Sequence, residues 1–216
     1  MNKLKLNPEV ALYGLAFLLV CLLPACKPKE LQVLLEPSRA LSTVLAEEAA
    51  RVAGAKKQVA LIIPDASWGP PSVIEEYLKS ALKKHGVTVV IAKAADLGNP
   101  MFSGQTGLKA KDFFEALEKS AGAGAVISLA GAPLIEPGDV ERVSPDHPPV
   151  LVIATAMQGN KMGLRGDPVQ LARLLEAKVI QLAIIDGPES SAQPSGKPDA
   201  AHALFAQNYR ILHRPN

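Results

Sequence analysis

Five short apolar runs constrain this chain more than any other feature: Val59–Ile63, Val87–Ile91, Ala125–Leu129, Val150–Ala154 and Val179–Ile185. Each is too short for a buried helix and too continuously apolar for a strand with one wet face, so each reads as a strand buried on both faces. Segments of crossover length separate them, and a strand reached by such a crossover returns parallel to its neighbour. The pattern predicts a three-layer α/β/α, doubly wound domain around a mainly parallel five-stranded sheet. The third crossover is the exception. Pro133, Pro137, Pro145, Pro148 and Pro149 leave room there for little more than a helical turn near 136–143.

The segments between the runs carry helix signals. Pro37-Ser38 opens a stretch in which Leu41, Val44, Leu45, Ala49 and Val52 recur at helical spacing before Gly54. Ser72 with Glu75 forms a capping box, Val73, Ile74, Tyr77, Leu78, Ala81 and Leu82 make an apolar face, and Lys83, Lys84, His85 and Gly86 close the helix. Phe113, Phe114 and Leu117 mark a third helix, and Asp167 can cap a fourth with Pro168 at its first position. Residues 187–198 have the Gly, Pro and Ser content of a mobile loop. A short helix over 201–207 and a strand over 209–212 then add a C-terminal edge.

The amino terminus has a different grammar. Lys3 and Lys5 precede the uncharged apolar run Val10–Leu23, the n-region and h-region of an export signal. Its 14 residues fall short of the roughly 20 needed to span a bilayer as a helix. The run ends Leu22-Leu23-Pro24-Ala25-Cys26, which resembles the lipobox of bacterial lipoproteins, with Pro24 at −2 as its departure from the pattern. The resemblance implies diacylglyceryl transfer to the Cys26 thiol, cleavage before it, and acylation of the new amino terminus by a palmitate-type chain. It further implies a cell-envelope protein held on the periplasmic side by lipid. Lys27, where an aspartate would favour inner-membrane retention, points to the outer membrane. The expected division is a signal peptide over 1–25, a tether over 26–37 and a single α/β domain over 38–216. That domain has its core at 58–186, the loop at 187–198 and a C-terminal helix and strand over 199–216.

With 48% hydrophobic residues among 216, the chain can bury one ordinary core, and its net charge of +2 gives no footprint for nucleic acid. Both cysteines, Cys21 and Cys26, belong to the signal and its junction, which leaves no thiols for a disulfide framework or metal site. No cofactor motif occurs. Gly-x-Ser-x-Gly and His-Glu-x-x-His are absent, and the four histidines are not spaced as metal ligands. No catalytic residue is nominated.

In a doubly wound sheet, ligands bind beyond the carboxyl ends of the strands, near the reversal of strand order. The ligand-binding candidates are therefore Asp65, Ser67 and Trp68 after the first strand, Asp96 after the second, Gly131 after the third, Thr155 and Gln158 after the fourth, and Asp186 after the fifth. Each also has an ordinary role as a turn or cap residue. Trp68, the only tryptophan, lies in Ser-Trp-Gly-Pro-Pro, where it could stack on a flat ligand or close the core over the prolines. The segment 159–167 offers Lys161 and Arg165 to an anion at a helix start, but Asp167 competes for the same position.

The span 58–186 resembles one lobe of a type 1 periplasmic binding protein. The resemblance rests on Val59–Ile63 with its following helix, on His85-Gly86-Val87-Thr88-Val89, and on Gly124–Leu129 leading to Pro148-Pro149-Val150-Leu151-Val152-Ile153. It implies binding of a small solute or an envelope protein partner without catalysis. No second lobe of comparable length follows. The alternatives of another class are an envelope hydrolase using Asp65, Asp96 or Asp186, and a pure scaffold.

Overall fold

The computed structural model describes residues 29–65, 72–98, 107–155, 167–187 and 199–215. The chain divides into two compact units, Met1–Leu34 and Leu35–Asn216, and in the first only the start of a helix is described.

The main sheet has six strands: β1 (Gln58–Pro64), β2 (Thr88–Ala95), β4 (Ala125–Ser128), β6 (Val150–Ala154), β7 (Leu182–Asp186) and β8 (Tyr209–His213). They lie in the order β2-β1-β4-β6-β7-β8. The first five are mutually parallel, and β8 runs antiparallel against β7. The expected α/β class, with five parallel strands and a C-terminal edge strand, is therefore present. A separate parallel pair, β3 (Leu108–Lys109) and β5 (Pro133–Leu134), has no counterpart in the sequence reading. Two residues per strand, one of them proline, are too few to show a period.

Among the described residues, five helices flank the sheet: α1 (Lys29–Ala53), α2 (Val73–Lys84), α3 (Ala110–Lys119), α4 (Pro168–Glu176) and α5 (Ala200–Asn208). Alternation along the strands sorts the core into two layers. Val59, Leu61, Ile127, Ile153 and Ile184 face Leu41 and Leu45 of α1, Leu78 and Leu82 of α2, and Phe205 of α5. Ala60, Ile62, Val126, Val152 and Ala183 face Phe113 and Leu117 of α3 and Leu171 and Leu174 of α4.

Several expectations need correction. The first helix begins at Lys29, not at Pro37, so the helical path takes in most of the segment read as a tether. Lys, Glu, Leu and Gln between 29 and 36 are good helix formers, and Pro37 sits inside the helix at the cost of one backbone donor. The second strand is not buried on both faces. It lies at the sheet edge, alternates between exposed and half-buried residues, and leaves Val90 44% exposed. The fifth strand starts at Leu182 because Val179 is used to close α4, its N–H donating to the Leu174 carbonyl (2.9 Å). The capping box is half made. Ser72 Oγ accepts from the Glu75 N–H (3.2 Å), while the Glu75 carboxylate turns to Lys79 (2.6 Å). The 3-10 turn Pro137–Arg142, the cap by Asp167 and the C-terminal helix and strand fall close to where the sequence put them.

Two contacts fix the direction of α1. At its end, Ala53 lies against Gly124, the residue before β4. Near the start of the second unit, Ser42 Oγ donates to the Ser38 carbonyl (2.8 Å) and to the Ile74 carbonyl in the first turn of α2 (3.2 Å). The helix thus descends from the rim where the parallel strands end to the edge where they begin. A Cβ on Gly124 would come within 2.7 Å of the Ala53 carbonyl oxygen and 2.9 Å of its Cα. Gly124→Ala is expected to lower unfolding free energy by about 1–3 kcal/mol in a urea melt. Gly122→Ala, which meets nothing within 4 Å, should change it little.

α5 is tied to α1 through one imidazole. His202 Nδ1 lies 2.9 Å from Asp199 Oδ1, and Nε2 lies 2.8 Å from Glu47 Oε2. Both partners are acceptors only, so the doubly protonated ring alone can donate to both. The Asp199 hydrogen bond, with the Glu47 charge behind it, raises the His202 pKa, and the His202 backbone N–H and ring lower that of Asp199. The raised histidine stabilises fully below its ordinary 6.5 and loses that effect as pH climbs through the raised value. The lowered carboxyl stabilises above its ordinary 3.8 and loses that effect as pH falls through the lowered value. The stability difference between the natural chain and His202→Gln is therefore expected to be largest between 3.8 and 6.5 and to shrink at higher pH, read by denaturant melts across pH.

Candidate functional site

Because β1, β2, β4, β6 and β7 all point one way, the residues that follow them gather along one carboxyl rim. The strand order reverses between β1 and β4, since β2 lies on one side of β1 and every later strand on the other. This is where a doubly wound sheet opens a crevice.

Asp65 and Asp96 stand next to each other at the β1/β2 end of that rim, joined by the Asp65 N–H donating to the Ala95 carbonyl (3.0 Å). Asp96 accepts from Lys109 Nζ (2.9 Å) and from the Gly98 N–H (2.9 Å). These bonds, Lys109 first, hold its carboxyl below the usual carboxylate range, and Asp96 in turn raises Lys109, with smaller contributions from Asp112 and Asp65. A carboxylate held ionised in this way is poorly suited to act as a general acid.

Thr155 and Asp186 are brought together on the far side of the crevice. Ala154 pairs with Ile185, so the next residues on β6 and β7 are neighbours, and Asp186 pairs in turn with Tyr209 on β8. By alternation Thr155 follows Ile153 and Asp186 follows Ile184, which puts both on the α1 side of the sheet, the layer that holds Tyr209. The Thr155 Oγ1 and Tyr209 hydroxyl are buried and have no hydrogen-bond partner among the described residues. Burial, with the Asp186 charge second, pushes the Tyr209 hydroxyl up to about 12. Tyr209 had no sequence signal, because only the antiparallel return of β8 brings it beside Asp186. At roughly 4.8 Å per strand, Asp65 and Asp186 are separated by about 14 Å across the sheet, too far to share one reacting atom.

Gly131 turns the chain after β4 with φ 85°, and its carbonyl accepts from the buried Ser128 Oγ (2.6 Å). Ser67, Trp68, Gln158, Lys161, Arg165 and Cys26 lie outside the described residues.

A cavity of about 320 Å³ opens on the rim between β5 and the first turns of α4. Its polar lining is Glu136, Asp167, Gln170 and Arg173, and Val169, 75% exposed, forms its lip. Gln170 Nε2 donates to the Pro133 carbonyl (2.8 Å) and Arg173 to the Ile135 carbonyl, so both side chains are braced against β5. Asp167 Oδ1 accepts from the Val169 N–H (3.1 Å). Glu136, Gln170 and Arg173 are not among the sequence candidates. Two of them are ordinary helix-surface residues until β5 closes against α4. A second cavity, of about 250 Å³, lies at the amino edge, with His147, Lys178 and Arg214 in its wall. Among the described residues, no group of three or more His, Cys, Asp or Glu side chains is disposed to hold a metal ion.

No family model and no curated protein matches this sequence. Among solved structures, the chain is similar to the crystal structure of a periplasmic ribose ABC transporter from Conexibacter woesei DSM 14684, at 14% identity and TM-score 0.46. The similarity covers 68% of this chain and 45% of that one, so this chain spans less than half its length. The fold class rests on strand order and register rather than on that likeness.

If the hydroxyl of Thr155 has no partner, Thr155→Val is expected to leave stability unchanged or to raise it by about 1 kcal/mol. A loss of that size in a denaturant melt would show that the hydroxyl is engaged.

Proposed function

We propose that this chain is an exported, lipid-anchored envelope protein whose single lobe binds a small solute or a protein partner at the carboxyl rim without catalysing its conversion. The observation that carries the binding half is the rim cavity, where Arg173 stands with Glu136 and Asp167 beside the apolar Leu134 and Ile135. Both charge signs within one small concave space suit a zwitterionic solute, or a peptide segment presenting one cation and one anion. The dispersal of the carboxylates, and the pairing of Asp96 with Lys109, favour this reading over a hydrolase.

The export half is supported by the sequence Leu22-Leu23-Pro24-Ala25-Cys26 after an apolar run of signal length, with Lys27 favouring the outer membrane. Among the described residues, no helix is long and apolar enough to cross a membrane.

The binding test is a thermal-shift screen of the purified chain against free amino acids, as zwitterions, and neutral monosaccharides of similar size. Zwitterions are expected to raise the melting temperature, and Arg173→Ala and Glu136→Gln each to remove that rise. Shifts given only by neutral sugars, or shifts that survive both substitutions, would move the site away from this cavity.

A further inference from the structure

The second cavity lies at the edge where the strands begin, opposite the rim, and its chemistry differs from that of the first. Lys178 and Arg214 stand in its wall, and no carboxylate lines it. The acids nearest along the chain, Glu141, Asp146 and Glu176, are exposed, and none of them is ion-paired to either cation. Among the described residues, the side chains of Lys178, Gln181 and Arg214 make no hydrogen bond, ion pair or ring contact. Two positive charges are thus held at one concave place without a counter-charge.

The backbone fixes where these groups stand. The Gln181 N–H donates to the Val150 carbonyl (2.8 Å) and the Arg214 N–H to the Gln181 carbonyl (3.1 Å), which carries the sheet one residue past the Leu182–His213 pair. Opposed residues of an antiparallel pair share a face, so Gln181 and Arg214 lie on the side of Ala183 and Leu212, the side that α3 and α4 cover.

Lys178 comes to the cavity from the end of α4. Its backbone is left-handed, φ 61°, at the position where a helix stop favours glycine. The His147 ring braces this turn, with Nε2 3.2 Å from the Lys178 carbonyl and Nδ1 2.7 Å from the Pro148 carbonyl, so neither nitrogen is left for a ligand. The helix end does not occupy the ammonium either. The carbonyls of Arg173, Leu174 and Leu175 accept from the N–H groups of Ala177, Val179 and Lys178. A backbone strain that glycine would relieve is kept together with a cation that its own helix leaves unused.

Val140, Val143 and Pro149 make much of the remaining wall apolar. Such walls strengthen the pull of the two cations on an anion. A guanidinium offers a carboxylate two parallel N–H donors for its two oxygens. The space, about 250 Å³, falls below the roughly 300–1,000 Å³ of sites for drug-sized ligands and suits a smaller one. The valines and the proline have a use only if the ligand carries an apolar body beside its charge.

We infer that this cavity binds a small monocarboxylate with an apolar body, its carboxylate held by Arg214 and Lys178 and its orientation set by the Gln181 amide. The site is separate from the rim cavity and stands whatever the rim binds.

The full chain, purified in a non-ionic detergent, is titrated by calorimetry at low salt with butyrate and benzoate, with their uncharged amides, and with inorganic phosphate. The carboxylates are expected to bind, the amides not to bind, and phosphate to bind more weakly. Arg214→Gln and Lys178→Gly should each weaken carboxylate binding at least about tenfold, the loss of one charge-assisted hydrogen bond. Lys178→Gly also relieves the left-handed backbone, so its melting temperature should hold or rise, which separates lost binding from lost folding. Lys57→Gln removes another exposed cation from the same edge and should leave binding unchanged. Amides that bind as well as the acids, or no binding by either carboxylate, would overturn the site. Binding that survives both Arg214→Gln and Lys178→Gly would put the carboxylate elsewhere on the molecule, the rim cavity included, and overturn it equally. Phosphate bound as tightly as the carboxylates would overturn the ligand class.

Discussion

The rest of the fold depends on β1, a strand that is hydrogen-bonded along both edges, covered on both faces, and placed where the strand order reverses. It pairs with β2 on one side and β4 on the other, and Val59, Ala60, Leu61 and Ile62 are all almost wholly buried. Every backbone polar group in such a strand has to be satisfied by a neighbour, since no water reaches it. Both neighbours are parallel, so each must be reached by a crossover, and the two crossovers place α2 on one face and α3 on the other. The double winding, the two core layers and the reversal of strand order at β1/β4 all follow from filling both sides of this one strand.

The same arrangement concentrates polar residues at one end. Loops that leave parallel strands share a rim whether or not their residues cooperate, so a shared rim alone is weak grounds for a site. What separates the positions is their local chemistry. Asp96 is committed to Lys109, and Thr155 and Tyr209 carry buried hydroxyls without partners among the described residues. Glu136, Asp167 and Arg173 surround an open volume. The cavity exists because the brief β3–β5 pairing lifts residues 133–136 against α4, where Gln170 and Arg173 anchor to their carbonyls.

Polar devices also attach the periphery. His202 links α5 to α1 through the Glu47 carboxylate while Asp199, the cap of α5, holds its other ring nitrogen, and the Ser42 hydroxyl joins α1 to α2 through the Ile74 carbonyl. These contacts are few beside the apolar ones, yet they set direction where packing alone allows sliding. The Ser42 bond and the close approach of Ala53 to Gly124 pin the middle and the end of the same helix to opposite edges of the sheet.

Much of this was legible in the residues themselves. Runs such as Val150–Ala154 announce buried parallel strands because burial on both faces removes the polar half of the alternation. Ser72, Asp167 and Pro168 announce helix starts because caps act within a few residues. Asp65, Asp96, Thr155 and Asp186 could be placed on one rim for the same reason, since each directly follows a strand. The sequence alone could not show that β2 would be an edge strand with half its residues in water, because an apolar run carries no record of how many neighbours it will have. Nor could it single out Tyr209 beside Asp186, or Arg173 and Glu136 around one cavity. Those groupings join residues 23 and 37 positions apart, and only the return of β8 and the seating of α4 against β5 bring them together. Short-range chemistry is written in order along the chain, whereas the company a side chain keeps is set by packing between elements that the chain order does not make adjacent.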